Sequence, residues 1–344
     1  MPTPQILITG GAGFLGAHLV RAFLDAGKSV RVLDVASPPA WASDVDYVQG
    51  GIGDVELVKR AMIGIASVVH AAFASPRQSP EILRAVNVEG TQLVYECARD
   101  AGVRRFLLIS STIVERAPRR HLFLSRSGLS RLDDYRARRA EAEQWLLQQV
   151  GPSVAIVRPK TFLGPGKVGA FAMIFDAIRR GDVVPVLGTG ANRYQLLDIR
   201  DMAEGVRMLE AGNNSGVFHF GAKAFATVTQ DLQALIDHAR TGATLRFLPA
   251  ALAKTALRSI ELAGITPLSE WHYYSAWGRD GVVDIGRAQQ ELGWQPVRSN
   301  AEALTEAYDA YVAAYAATGR IETTHPIPAS HKVLRGVFQL LGRG

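Results

Sequence analysis

Cysteine is nearly absent: Cys97 is the one thiol in 344 residues. Without a partner it forms no intrachain disulfide, which points away from a disulfide-built secreted scaffold and toward a reducing, cytoplasmic setting. Within its helical pattern, Cys97 reads as a packed core residue. Long apolar runs are missing as well. No stretch approaches the ~18 residues that a spanning helix needs. The N-terminus enters an apolar strand without a charged n-region or a cleavage site, so neither a transmembrane segment nor a signal peptide is expected. Zinc-finger spacing, RNA-binding aromatic patterns and internal repeats are lacking too. The net charge is +6, from 38 Lys and Arg against 32 Asp and Glu, but the cations are scattered between apolar runs. No nucleic-acid partner and no metal site are expected. The composition that remains, 48% hydrophobic and 20% charged, suits one large or two modest globular domains.

What the sequence does have begins at once. The apolar run Ile6-Leu7-Ile8-Thr9 breaks into Gly10-Gly11-Ala12-Gly13-Phe14-Leu15-Gly16 and then into a helical pattern. Strand, glycine turn and helix in that order read as a dinucleotide cradle, with phosphates meeting free N–H groups at a helix N-terminus. A second strand, 29–33, ends at Asp34, close to the ~20-residue spacing of the ribose-binding carboxylate. A carboxylate there accepts from a ribose 2′-hydroxyl and repels a 2′-phosphate, so NAD is expected over NADP.

Apolar strands at 5–9, 29–33, 45–48, 67–70, 105–110 and 153–158 alternate with helical patterns near 15–26, 54–63, 81–100 and 135–149. That alternation predicts an α/β fold, a doubly wound parallel sheet of the Rossmann type. After Pro159 the pattern loosens into a smaller, interleaved α/β region. Its expected helices lie near 169–180, 201–212, 226–240, 250–261, 286–292 and 300–317, and its strands at 183–187, 194–199, 217–220 and 244–247. The expected division is 1–163 with 192–222 for the NAD-binding domain, 164–191 with 223–318 for substrate, and 319–344 as a C-terminal tail. The tail pattern fits either an amphipathic helix on a partner or membrane, or packing on the body.

Further motifs follow in order: Val69-His70-Ala71-Ala72, Asn87-Val88-Glu89-Gly90-Thr91, Ser110-Ser111, Arg158-Pro159, Gly164-Pro165-Gly166 and Leu292-Gly293-Trp294-Gln295-Pro296. With the glycine loop, this set resembles the extended short-chain dehydrogenases/reductases, the NAD-dependent epimerase/dehydratase family, from residue 5 to about 315. The resemblance implies hydride transfer at nicotinamide coupled to proton transfer at a substrate oxygen. It makes Tyr135 the acid/base and Ser111 the holder of the substrate oxygen. It implies cofactor contacts from Gly10, Gly13, Phe14, Leu15, Gly16, Asp34, Ile52, Ala71, Ala72, Tyr135, Arg139 and Pro159.

The chain departs from that family at several places. Four residues after Tyr135 the usual lysine is replaced by Arg139, which offers charge and donors but cannot relay a proton. Lys160, just past Arg158-Pro159, is a candidate source of an ammonium from another element. Gly51-Ile52 stands where an adenine-contacting Asp is usual, and Glu115-Arg116 stands where Tyr-Gly is usual. Between Ser111 and Tyr135 lie Arg116, Arg119, Arg120, His121, Arg126 and Arg131, which read either as a clamp for an anionic substrate or as a solvated loop.

The favoured function is an NAD-dependent oxidoreductase acting on a secondary alcohol or ketone of a small or medium-sized molecule. A nucleotide-sugar epimerase or dehydratase with retained NAD is the alternative, and a non-catalytic NAD-binding regulator is the second alternative. Tyr194 where sugar-nucleotide enzymes usually place an arginine (Arg193 is adjacent), and the aromatic segment Glu270-Trp271-His272-Tyr273-Tyr274, lean toward the first. The resemblance also implies a homodimer through helices 81–100 and 135–149, to which Leu93, Val94, Trp145 and Leu146 offer apolar surface.

Overall fold

The computed structural model describes residues 5–116, 131–166, 171–249 and 279–319. These fall into two compact units. The first is built from Met1–Lys160, Ile199–Phe220 and Asp284–Gln295, the second from Thr161–Asp198, Gly221–Val283 and Pro296–Gly344.

Seven parallel strands form the centre of the first unit: β1 Ile6–Thr9, β2 Val30–Asp34, β3 Asp46–Gln49, β4 Ser67–His70, β5 Arg105–Ile109, β6 Ser153–Pro159 and β10 Gly216–Phe220. Their order is β10-β6-β5-β4-β1-β2-β3, the doubly wound arrangement. Every residue of β1, β4 and β5 is buried, as continuous apolar strands require when helices cover both faces. On one face Leu7, Leu33, Val68, Phe106 and Leu108 pack with residues of α2 (Val55–Ala61), α4 (Thr91–Asp100) and α5 (Arg131–Leu146). Cys97 is buried on α4. Helices α1 (Phe14–Asp25) and α7 (Ile199–Ala211) pack together beside the strands.

The expected single helix over 81–100 is resolved into three pieces: α3 (Pro80–Arg84), one π-helical segment (Ala85–Gly90) and α4. Gly90, at the end of the π-helical segment, lets it pack closely on Ile52: a Cβ there would meet Ile52 Cδ1 at 2.7 Å. Helix α9 (Gly286–Leu292) and Trp294 belong to the first unit, not to the region expected to take the substrate. Trp294 stacks on Phe220 at 4.5 Å and donates Nε1–H to Asp201 O at 3.0 Å, so one aromatic residue fastens the segment.

In the second unit, β7 (Thr161–Leu163) pairs with β9 (Leu196–Asp198), and β8 (Val183–Leu187) pairs with β11 (Thr244–Leu248). Helices α6 (Ala172–Arg179), α8 (Val228–Ala239) and α10 (Asn300–Thr318) enclose a core that includes Phe175, Leu235, Leu304 and Tyr308. Capping boxes open α8 at Thr227 and α10 at Ser299. No helix among the described residues is long and apolar enough to cross a membrane. The expected helix over 250–261, the segment Glu270–Tyr274 and the tail beyond Gly319 lie outside the described residues.

Candidate active site

Strand β1 delivers the chain into the glycine loop at the carboxyl edge of the sheet. Gly10 turns it with φ +73°, and a Cβ there would lie 2.7 Å from Ala72 N. A Cβ on Gly16 would overlap Gly10 O, so the first turn of α1 approaches the loop only because that residue is glycine. Gly13 is the N-cap of α1, and the first turn carries neither a side-chain cap nor an acidic residue. Its N–H groups and the positive end of the helix dipole therefore face outward as an anion cradle. Leu15 is buried, and Phe14 packs edge-on to His18 at 5.0 Å.

At the end of β2, Asp34 accepts from Ala12 N at 3.0 Å and from Ala36 N at 2.9 Å. The carboxylate braces the glycine loop while keeping lone pairs for ribose hydroxyls. Together, the cradle and the carboxylate fit a dinucleotide.

Behind the cradle runs a directional hydrogen-bond chain. Ala72 N donates to Thr9 Oγ1 at 3.3 Å, and Thr9 Oγ1 lies 2.7 Å from His70 Nδ1. His70 Nε2 lies 3.1 Å from Thr91 Oγ1, which donates to Asn87 O at 3.1 Å. Thr91 spends its proton on Asn87, so it accepts from His70; Nε2 then carries the ring proton, and Nδ1 accepts from Thr9. Burial, and secondarily the charge of Arg139, push the pKa of His70 from 6.5 down to about 3, so the ring stays neutral. The side chain of Asn87 closes the set, accepting from Ala74 N at 2.8 Å and donating to Ala74 O at 3.2 Å. The π-helical segment thereby pins the loop that contains Ala71, Ala72 and Phe73.

Tyr135, Arg139 and Glu143 follow at i, i+4 and i+8 on α5 and share its inward face. All three are buried, at 7%, 6% and 1% exposure. The guanidinium of Arg139 donates to Ile109 O at 2.6 Å and lies 4.8 Å from the Phe73 ring centre and 5.7 Å from that of Tyr135. Among the described residues it has no ion pair. Glu143 does not neutralise it, because Arg158 on β6 holds that carboxylate at 2.5 Å. Ser111 stands two residues beyond Ile109, and its Oγ accepts from Ile113 N at 3.3 Å. Its neighbour Ser110 has a buried hydroxyl with no hydrogen-bond partner among the described residues.

The structure thus brings Tyr135, Arg139 and the end of β5 together, and it sets the glycine loop beside Ala71 and Ala72. Pro159 ends β6, where Thr112 Oγ1 donates to its carbonyl at 3.3 Å. Ile52 is a core residue, packed with Leu7, Leu33 and Val58. Lys160 is buried just past β6. Arg119, Arg120, His121 and Arg126 lie outside the described residues. Sequence reasoning missed the positioning roles of Thr9, His70, Asn87 and Glu143. The signals were present in the motifs containing His70 and Asn87, and in the four-residue spacing that continues from Arg139 to Glu143.

A family model described as "NAD dependent epimerase/dehydratase family" matches residues 6–221. The chain is 32% identical over 335 residues to an uncharacterized protein, y4nG, of Sinorhizobium fredii, covering 95% of this chain and 84% of that one. It is 26% identical over 350 residues to a 3β-hydroxysteroid dehydrogenase/Δ5→4-isomerase of Mycobacterium tuberculosis, covering 90% and 91%. Among solved structures, the Bordetella bronchiseptica enzyme WbmG in complex with NAD and UDP shares the fold with a TM-score of 0.68 at 21% identity, covering 90% and 94%. The chain therefore belongs to the NAD-dependent epimerase/dehydratase family, and it is an oxidoreductase-type enzyme with the family's doubly wound fold and NAD cofactor.

Proposed function

We propose that the protein is an NAD-dependent dehydrogenase that interconverts a secondary alcohol and a ketone on a small or medium-sized substrate. The N-terminus of α1, with Gly10, Gly13, Phe14, Leu15 and Gly16, holds the pyrophosphate. Asp34 would take the ribose, Ala71, Ala72 and Pro159 would line the rest, and at the adenine only the backbone of Ile52, whose side chain packs in the core, would be offered. Bound NAD supplies the hydride acceptor in oxidation and the donor in reduction. Ser111 hydrogen-bonds the substrate oxygen. Tyr135 takes the proton from that oxygen during oxidation and returns it during reduction. Arg139 brings a guanidinium over the Tyr135 ring where the family's ammonium usually stands, and its planar donors take no part in passing protons.

One observation carries this reading: Tyr135 and Arg139 are both buried on one face of α5, with the Arg139 guanidinium 5.7 Å from the Tyr135 ring centre and bonded to Ile109 O at the end of β5, two residues before Ser111. Tyr194 supports net dehydrogenation over sugar-nucleotide chemistry. It is buried with its hydroxyl 2.8 Å from Thr161 Oγ1, a packing role rather than a pyrophosphate contact. The buried, unpaired Cys97 suits a cytoplasmic enzyme.

The test is NADH formation with a 3β-hydroxysteroid, set against UDP-glucose. The wild type should form NADH with the steroid, Tyr135→Phe should lose at least ~100-fold in kcat, and Arg139→Lys should retain turnover. A Tyr135→Phe protein that works at the wild-type rate would refute the assignment and make NAD a structural or regulatory ligand. Interconversion of the sugar nucleotide without NADH release would favour the epimerase reading instead.

A further inference from the structure

Ser111 opens a 3-10 turn, Thr112–Arg116, that leaves the end of β5. Inside the turn the hydrogen bonds are local: Ile113 N to Ser111 Oγ at 3.3 Å and Val114 N to Ser111 O at 3.2 Å. Neither fixes the turn to the sheet. Thr112 does so once, through its bond to Pro159 O. Glu115 does so twice. Its Oε1 lies 2.5 Å from His219 Nε2 on β10 and 3.4 Å from Arg158 Nη1 on β6.

His219 and Arg158 are register partners on adjacent strands. Ile109 pairs with Val157 one position earlier, so both residues stand in the row of Ser110. Strands are spaced ~4.8 Å apart, which places the His219 backbone roughly 10 Å from that of Ser110. Arg158 is itself held from α5 by Glu143. A continuous charged chain therefore runs from the helix of Tyr135 and Arg139, through Glu143 and Arg158, to Glu115 in the serine turn, and ends on His219.

We propose that Glu115 is a positioning residue: clamped by His219 and Arg158, it latches the serine turn to β6 and β10 and so fixes the Ser111 hydroxyl. This rests on the reading of Ser111 as the group that holds the substrate oxygen. His219 is the partner that makes the latch directional. A carboxylate on Nε2 selects the tautomer protonated there, and without His219 the Glu115 side chain would keep only the 3.4 Å arginine contact.

The experiment uses the full chain with NAD and a 3β-hydroxysteroid, in Ser111→Ala, Glu115→Ala, Glu115→Gln, His219→Ala and the double variant Ser111→Ala/Glu115→Ala. His219→Ala should lower kcat by about ten-fold, the loss of one charge-assisted contact, and Glu115→Ala, which loses the Arg158 contact as well, by at least as much. NAD affinity and Tm should not change. Glu115→Gln, which keeps an acceptor oxygen, should recover part of the rate. Within Ser111→Ala, adding Glu115→Ala should cost nothing more, because the latch acts only through that hydroxyl. Nitrogen-15 spectra should show His219 as the Nε2–H tautomer in the wild type and as a mixture in Glu115→Ala. A slow Ser111→Ala with Glu115→Ala at the wild-type rate, or additive losses in the double variant, would overturn the latch and leave the catalytic reading standing. A His219 tautomer indifferent to Glu115 would overturn the latch whatever the substrate. Ser111→Ala at the wild-type rate would instead remove the catalytic reading, and the latch with it.

Discussion

His70 should make this enzyme acid-labile, by an amount that can be worked out. The ring is 1% exposed, both nitrogens are hydrogen bonded, and its pKa falls from 6.5 to about 3 through burial and then through Arg139. The unfolded chain takes up this proton near the ordinary histidine value, and the folded chain refuses it until about pH 3. Between those values the unfolded state binds more protons, so stability falls as pH falls, by up to ~1.4 kcal/mol per unit. From pH 7.5 to 5.0 the His70 contribution amounts to a loss of ~2 kcal/mol. Urea unfolding at the two pH values reads it, with His70→Gln as the reference. Other titrating groups act in both proteins and cancel, so the wild type should lose ~2 kcal/mol more than the variant. Equal losses would refute the argument, as would a His70 resonance that titrates near 6.5 in the folded protein.

Two further outcomes are expected. Asp34→Ala should relax the preference for NAD over NADP by about ten-fold and weaken both cofactors, because Ala12 N and Ala36 N lose their acceptor; calorimetry showing equal wild-type affinity for the two would remove the assignment. Sedimentation at micromolar concentration should show a homodimer through α4 and α5, and a monomer would contradict it. Its apolar contribution must come chiefly from the half-buried Leu93 and Trp145, since Val94 and Leu146 are already spent on the intrachain core.

The first unit was legible in the sequence because its strands are short, uniformly apolar and separated by helical periodicity. Strand β7 was not, since three residues carry no period. The π-helical segment was hidden for a related reason: one extra residue in a turn shifts an apolar stripe too little to show in a twenty-residue pattern. Val94 and Leu146, two of the four residues offered to a dimer, are buried within the chain, and the sequence could not separate them because a helical stripe looks the same whether it covers a sheet or another chain. Ser111, Tyr135 and Arg139 could be named by their match to the pattern of the family that the chain resembles. The pairs Glu143–Arg158 and Glu115–His219 could not, because their partners lie 15 and 104 residues apart and meet only once the sheet order is set.

That order also explains how an arginine can stand at position 139. An ammonium is a compact charge that wants three acceptors, whereas a guanidinium spreads its charge over a plane and tolerates aromatic faces. Phe73 and Tyr135 provide those faces, and Ile109 O provides one acceptor. The nearest carboxylate on the same helix face, Glu143, is withdrawn by Arg158. With Glu143 held by Arg158, the four-residue spacing from Arg139 to Glu143 is not used for an ion pair along α5. The two arginines thus divide the helix face. Arg158 holds the carboxylate, and Arg139 rests on the aromatic faces of Phe73 and Tyr135 with Ile109 O as its acceptor.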